Sequence, residues 1–134
     1  MPKKSYVSLL AALAMLGAMV SFAIPAQATP GDMSVAEFMK MADGLKAKGI
    51  GAMFSGDLSK IMTEAKGAGL NYRARLAADK AAGKPPHSCP PPKARIDQKT
   101  FMAQINNYTP EQRQHTTMNA MMAELFAKNY PCPK

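Results

Sequence analysis

Few side chains in this 134-residue sequence are suited to chemistry, and they are scattered. The only two cysteines are Cys89, in His87-Ser88-Cys89-Pro90, and Cys132, in Tyr130-Pro131-Cys132-Pro133. Beside them stand two histidines, His87 and His115, and nine acidic residues. A zinc site needs three or four thiolate, imidazole or carboxylate ligands at suitable spacing, and no acidic cluster flanks either histidine. General acid and base work needs carboxylates or histidines in one pocket, whereas the acidic residues here fall mostly at helix caps or on solvent-facing positions. Ser34, Ser55, Ser59 and Ser88 sit in no nucleophile elbow. From these residues we expect no enzyme, no metal and no cofactor. Clustered methionines, Met39 with Met41 and Met118 with Met121 and Met122, could hold Cu(I) in an exported protein. Most of them also lie on apolar helical faces, where a flexible thioether fills core gaps, and we read them as core. Met41 lies off the stripe of its helix and is the candidate for an exposed apolar contact surface.

Export decides how the cysteines are read. Lys3 and Lys4 precede an apolar run from Val7 to Ile24, then Pro25 and the small-residue triplet Ala26-Gln27-Ala28. This is the pattern of a secretory signal peptide cleaved after Ala28; an uncleaved membrane anchor is the alternative. Removing 28 of 134 residues leaves 106, from Thr29 to Lys134, and removing the two lysines takes the formal charge from +8 to +6. A basic balance suits an acidic partner or an anionic envelope surface, and equally a solvated exported protein. Nothing interleaves aromatic and basic residues as a nucleic-acid binder would, so no nucleic acid is expected, and contact with membrane only during export. In an oxidising compartment two cysteines pair, and a small domain of this length needs such a tie. A Cys89–Cys132 disulfide is predicted.

The elements that must position these residues are helical. Ser34 followed by Glu37 predicts a capping box, opening a helix whose apolar face is Val35, Phe38, Met39, Ala42 and Leu45 and which Gly49 and Gly51 stop. A second helix is predicted from near Asp57, with Leu58, Ile61, Met62, Ala65, Gly69, Tyr72 and Leu76 on one side; Gly67 and Gly69 mark a break or a close contact. Residues 83–97 form a Pro-rich connector that delivers Cys89. Asp97 caps a short third helix to about residue 107, with Phe101, Ile105 and Tyr108 inward. Thr109-Pro110-Glu111-Gln112 is a strong start for a last helix from 110 to 129, carrying Met118, Met121, Met122, Leu125 and Phe126. No strand pattern appears. The expectation is one all-α domain of four to five helices over 29–134, with its C-terminal helical hairpin closed by one disulfide.

Along this hairpin, Cys89-Pro90, Phe101, Ile105, Tyr108-Thr109-Pro110-Glu111-Gln112-Arg113, Ala120, Leu125-Phe126-Ala127 and Tyr130-Pro131-Cys132-Pro133 resemble the Tai-type immunity proteins of type VI secretion amidase effectors. The resemblance covers residues 88–133 and reaches the preceding region only as a helical pair of about the right length. It implies a periplasmic, non-enzymatic protein, often a homodimer, that binds a peptidoglycan amidase and blocks its active site. Arg95, Tyr108, Arg113 and Gln114 are the candidate partner-binding residues, because arginine and tyrosine dominate interface energetics. In size, export and single disulfide the chain is also similar to small periplasmic acid-stress chaperones of the HdeA type, which expose apolar surface when carboxylates protonate. A chaperone or envelope-binding role is the second expectation.

Overall fold

The structure is a computed structural model that describes residues 28–134. The signal-peptide reading falls on residues outside that range, apart from Ala28. Five α-helices occur among the described residues: α1 Val35–Lys48, α2 Gly56–Ala81, α3 Gln98–Asn106, α4 Pro110–His115 and α5 Met118–Asn129. A 3-10 turn, Gly49–Phe54, joins α1 to α2. The all-α expectation holds, and so does the disulfide: Cys89 and Cys132 are bonded across a separation of 43 residues.

Each helix starts where a short polar side chain supplies an acceptor for free amides of its first turn. The hydroxyl of Ser34 accepts from Glu37 N and that of Ser55 from Asp57 N. The Asp97 carboxylate accepts from Thr100 N, and Thr109 and Gln112 form a reciprocal capping box. The box expected at Ser34 is half made, because the Glu37 carboxylate stands 3.9 Å from Lys60 Nζ on α2. α5 ends where Asn129 Nδ2 donates to Leu125 O and Pro131 follows.

Three expectations about the helices are corrected. The chain does not run as one helix from 110 to 129: Thr116 is extended (φ −100°, ψ 122°) and Thr117 caps a new helix through Ala120 N. The physical reason lies far earlier in the sequence, where Met33 and Val35 meet Thr116 and Met118. Residues 29–34 cross the molecule as a strap, and Val35 N donates to Thr116 O while Met118 N donates to Met33 O, both at 2.8 Å. Ser34 thus pairs antiparallel with Thr117, and the backbone groups freed by breaking the helix are satisfied there. Met41 is half-buried against the core rather than exposed, since α1 packs on both α2 and α4. Met62, placed on the inner side of α2, is 65% exposed.

The strap also explains the glycines of α2. The helix passes through Gly67 and Gly69 without a break. A Cβ on Gly67 would lie 2.3 Å from Pro30 Cβ, so the glycine admits the strap, while Gly69 faces open space. Glu64, one turn earlier, is buried and accepts from Gly31 N and Met33 N, both at 2.7 Å. Gly31 (φ +105°) lies so close to Asn119 that a Cβ would meet its Oδ1 at 2.2 Å. The core lies beneath this strap, built from Val35 and Phe38, Ala68 and Tyr72, Ile105, and Met118, Met121, Met122, Leu125 and Phe126. The methionine stripe of the last helix is therefore core packing, as its spacing implied.

Candidate functional site

The disulfide end is an aromatic and polar knot. The Tyr72 hydroxyl lies 2.9 Å from His87 Nδ1 and 2.6 Å from Ser88 Oγ, with Ser88 buried. Phe126 lies between Tyr72 and Tyr130, at ring separations of 5.1 and 5.7 Å. Arg73 stands over Phe126 and donates to the carbonyls of Pro92 (3.1 Å) and Ala94 (2.6 Å). Together with Cys89 N donating to Tyr130 O at 2.8 Å, these bonds fasten the Pro-rich connector to α2 and to the end of α5. Ser88 and His87 are therefore tied to Tyr72 in a structural cluster, and a buried hydroxyl already bonded on one side is poorly placed to attack a substrate.

The four residues expected to bind a partner do not form one patch. Arg95 is exposed on the connector at the disulfide end, where its carbonyl accepts from Tyr130 Oη at 3.0 Å. Arg113 and Gln114 lie on α4, before the opposite end of α5, a helix about 18 Å long at 1.5 Å per residue. Tyr108 lies between, half-buried, bonded to Glu124 and accepting from Gln104 Nε2. Burial and the Glu124 carboxylate push the Tyr108 phenol up to about 12. Gln114 is exposed, whereas Arg113 is half-buried and its Nε is buried with no hydrogen-bond partner among the described residues.

A different set of residues carries the most exposed apolar surface. Ile50, Met53 and Phe54, on the turn between α1 and α2, are 83, 75 and 90% exposed. Their sequence, Gly49-Ile50-Gly51-Ala52-Met53-Phe54-Ser55-Gly56, held the cue: three large apolar residues in a Gly-flanked stretch outside both helical stripes. The turn is anchored at its base, where Lys48 Nζ bonds Asp57 at 2.8 Å and Ser55 at 3.3 Å. A scaffold closed by a disulfide therefore projects an apolar tip from a fixed base.

Among the described residues no group of three or more His, Cys, Asp or Glu could hold a metal, and no helix is long and apolar enough to cross a membrane. Such a fold and surface define a small disulfide-tied helical protein with exposed apolar residues. Set against known proteins, the chain matches no family model, no curated protein and no solved structure.

Proposed function

We propose that this is an exported, non-enzymatic binding protein that acts by stoichiometric capture of a protein partner, and that the partner is a cell-wall amidase of the kind met by the Tai-type immunity proteins. One observation carries the binding reading: the apolar tip Ile50, Met53 and Phe54, which the fold leaves in water. A soluble protein rarely leaves clustered large apolar side chains uncovered unless they meet something. An aromatic tip on an anchored turn orders few side chains on binding, which keeps the entropic cost of association low. The choice of an amidase rests on the likeness of residues 88–133 to the immunity proteins, and the oxidising compartment on the disulfide and the leader pattern.

The test is a titration of the exported protein against secreted cell-wall amidases encoded beside it. Inhibition should be complete at about one to one, with a dissociation constant near the nanomolar range of specific complexes of this type. Changing Phe54 to Ser should weaken binding by about tenfold or more, as hot-spot truncations do, with an unchanged melting temperature. Inhibition of none of these amidases, together with protection of client proteins from aggregation at low pH, would replace this reading with the chaperone.

A further inference from the structure

α2 leaves a second apolar surface open, on another face. Met62, Lys66, Gly69, Leu70 and Arg73 recur at steps of four, three, one and three residues. At 100° per residue they form one stripe on the side of α2 turned away from the strap. Met62 and Leu70 are 65 and 56% exposed. Ile96 of the connector and Met102 of α3 stand across from this stripe, and Met122 and Phe126 of α5 also line the space between. The result is two joined depressions of about 690 and 440 Å³ that share Lys66, Ile96 and Met122. From Met62 to Arg73 the groove runs about 16 Å, three turns of helix.

The ionisable side chains that line it have one sign. Every ionisable side chain lining either depression is cationic: Lys46, Lys66, Arg73 and Arg95. Arg73 is committed to the Pro92 and Ala94 carbonyls, and Lys46 lies 3.5 Å from Asp43. Lys66 and Arg95 have no acidic partner among the described residues. An apolar floor with cations on its rim complements an apolar stripe flanked by carboxylates. The groove is open along its length, which suits a helix lying in it better than a small amphiphile, since small ligands favour sites that enclose most of their surface.

We propose that this groove is a docking site for an acidic amphipathic helix of a partner protein, with large apolar residues at i, i+4 and i+7 laid on the Met62–Leu70 stripe and carboxylates set against Lys66 and Arg95. The inference concerns a different face from the apolar tip and does not depend on which enzyme the tip meets. It also gives Arg95 a role that Tyr108 and Arg113, which do not line the groove, do not share.

The probe is a labelled amphipathic peptide of about 18 residues, five helical turns, with leucine on one face and glutamate on the other. Its counterpart carries lysine in place of glutamate. Fluorescence anisotropy with the exported protein should show the acidic peptide binding at least about tenfold tighter than the basic one. Leu70→Glu and Lys66→Glu should each weaken it by about tenfold or more with thermal melts unchanged, since both side chains are solvent-exposed, and Ile50→Ser on the tip should leave it unchanged. Three results would each overturn the proposal: equal affinity for the two peptides, no binding of the acidic peptide below about 1 mM, or binding indifferent to Leu70→Glu. Sedimentation with phosphatidylglycerol vesicles that Leu70→Glu abolishes, without acidic-peptide binding, would assign the groove to a lipid surface instead.

Discussion

Gly67 and Gly69 stand two residues apart in one helix, and the residue scale separates them completely. Alanine in place of a helical glycine ordinarily stabilises by about 1 kcal/mol, because less backbone entropy is lost on folding. At Gly69 nothing lies within 4 Å of the added carbon, so Gly69→Ala should raise stability by about 0.5–1 kcal/mol. At Gly67 the carbon would overlap Pro30, whose backbone C and O are also only 3.0 Å away. Overpacking of this kind costs about 1–3 kcal/mol, so Gly67→Ala should destabilise by up to about 2 kcal/mol net. Urea titration of both variants checks the pair, and a stabilised Gly67→Ala would mean that the strap does not lie where it is described. Glu64 belongs to the same contact. Its carboxylate receives two backbone amides, which accounts for an acidic residue in the interior of a protein whose other carboxylates are half-buried or exposed.

Among the elements, the connector has the least internal support. Residues 84–97 form no helix and are held by the Arg73 and Tyr130 side chains, by the Cys89 amide, and by the disulfide. Closing a 43-residue loop is worth about 4 kcal/mol in the chain-entropy estimate, a large share of a small domain's net stability. Changing both cysteines to alanine should therefore lower stability by about 2–5 kcal/mol. Measured by denaturant melts, a loss under about 1 kcal/mol would show that side-chain contacts alone hold the connector. The break between α4 and α5 is also an event between elements. Thr116 and Thr117 have a weak helix preference, and the strap supplies backbone partners that a continuous helix would leave unused.

The whole molecule's response to acid follows from three carboxylates that local hydrogen bonds or an ion pair hold in their charged form. Asp32 is held below its ordinary value by the Thr29 hydroxyl, Asp57 by the Lys48 ammonium and Asp97 by the Thr100 amide. A carboxyl whose folded pKa lies below its unfolded one stabilises the fold above the unfolded value, and that contribution is lost as pH falls through the folded value. Thermal stability should thus stay level from pH 7 to about 5 and decline only below about pH 4, the region of the ordinary value of 3.8. Tyr108 works at the other limit. Its phenol is raised from 10.0 to about 12, so its contribution is full below pH 10 and is lost as pH rises towards 12. Circular dichroism melts across pH test both limits, and unfolding already between pH 7 and 5 would contradict the assignment for the three aspartates. Asp97→Asn, which keeps a capping side chain but cannot titrate, should reduce the loss on the acid side.

Local chemistry alone was enough to read most helix starts and the end of the last helix, because caps and stops act within a few residues. Ser34, Asp97, the Thr109-Pro110-Glu111-Gln112 start and the Asn129-Pro131 end all acted as written in the chain. The pairing of Cys89 with Cys132 was legible for a simpler reason, since two cysteines in an oxidising setting leave one partner each. Tertiary structure decided what depends on segments far apart in sequence. The strap at 29–34 reaches Glu64, Gly67 and Thr116, splitting a predicted helix, burying a carboxylate and requiring a glycine, and no local pattern encodes such a crossing. It also distributed exposure. Helical periodicity placed Met62 inward and Met41 outward, but α2 and α4 pack on α1 and half-bury Met41 while Met62 is left exposed, because an apolar residue is covered only where another element passes over it. The apolar tip and the cationic groove arise in the same way, as surfaces that the packed helices leave uncovered.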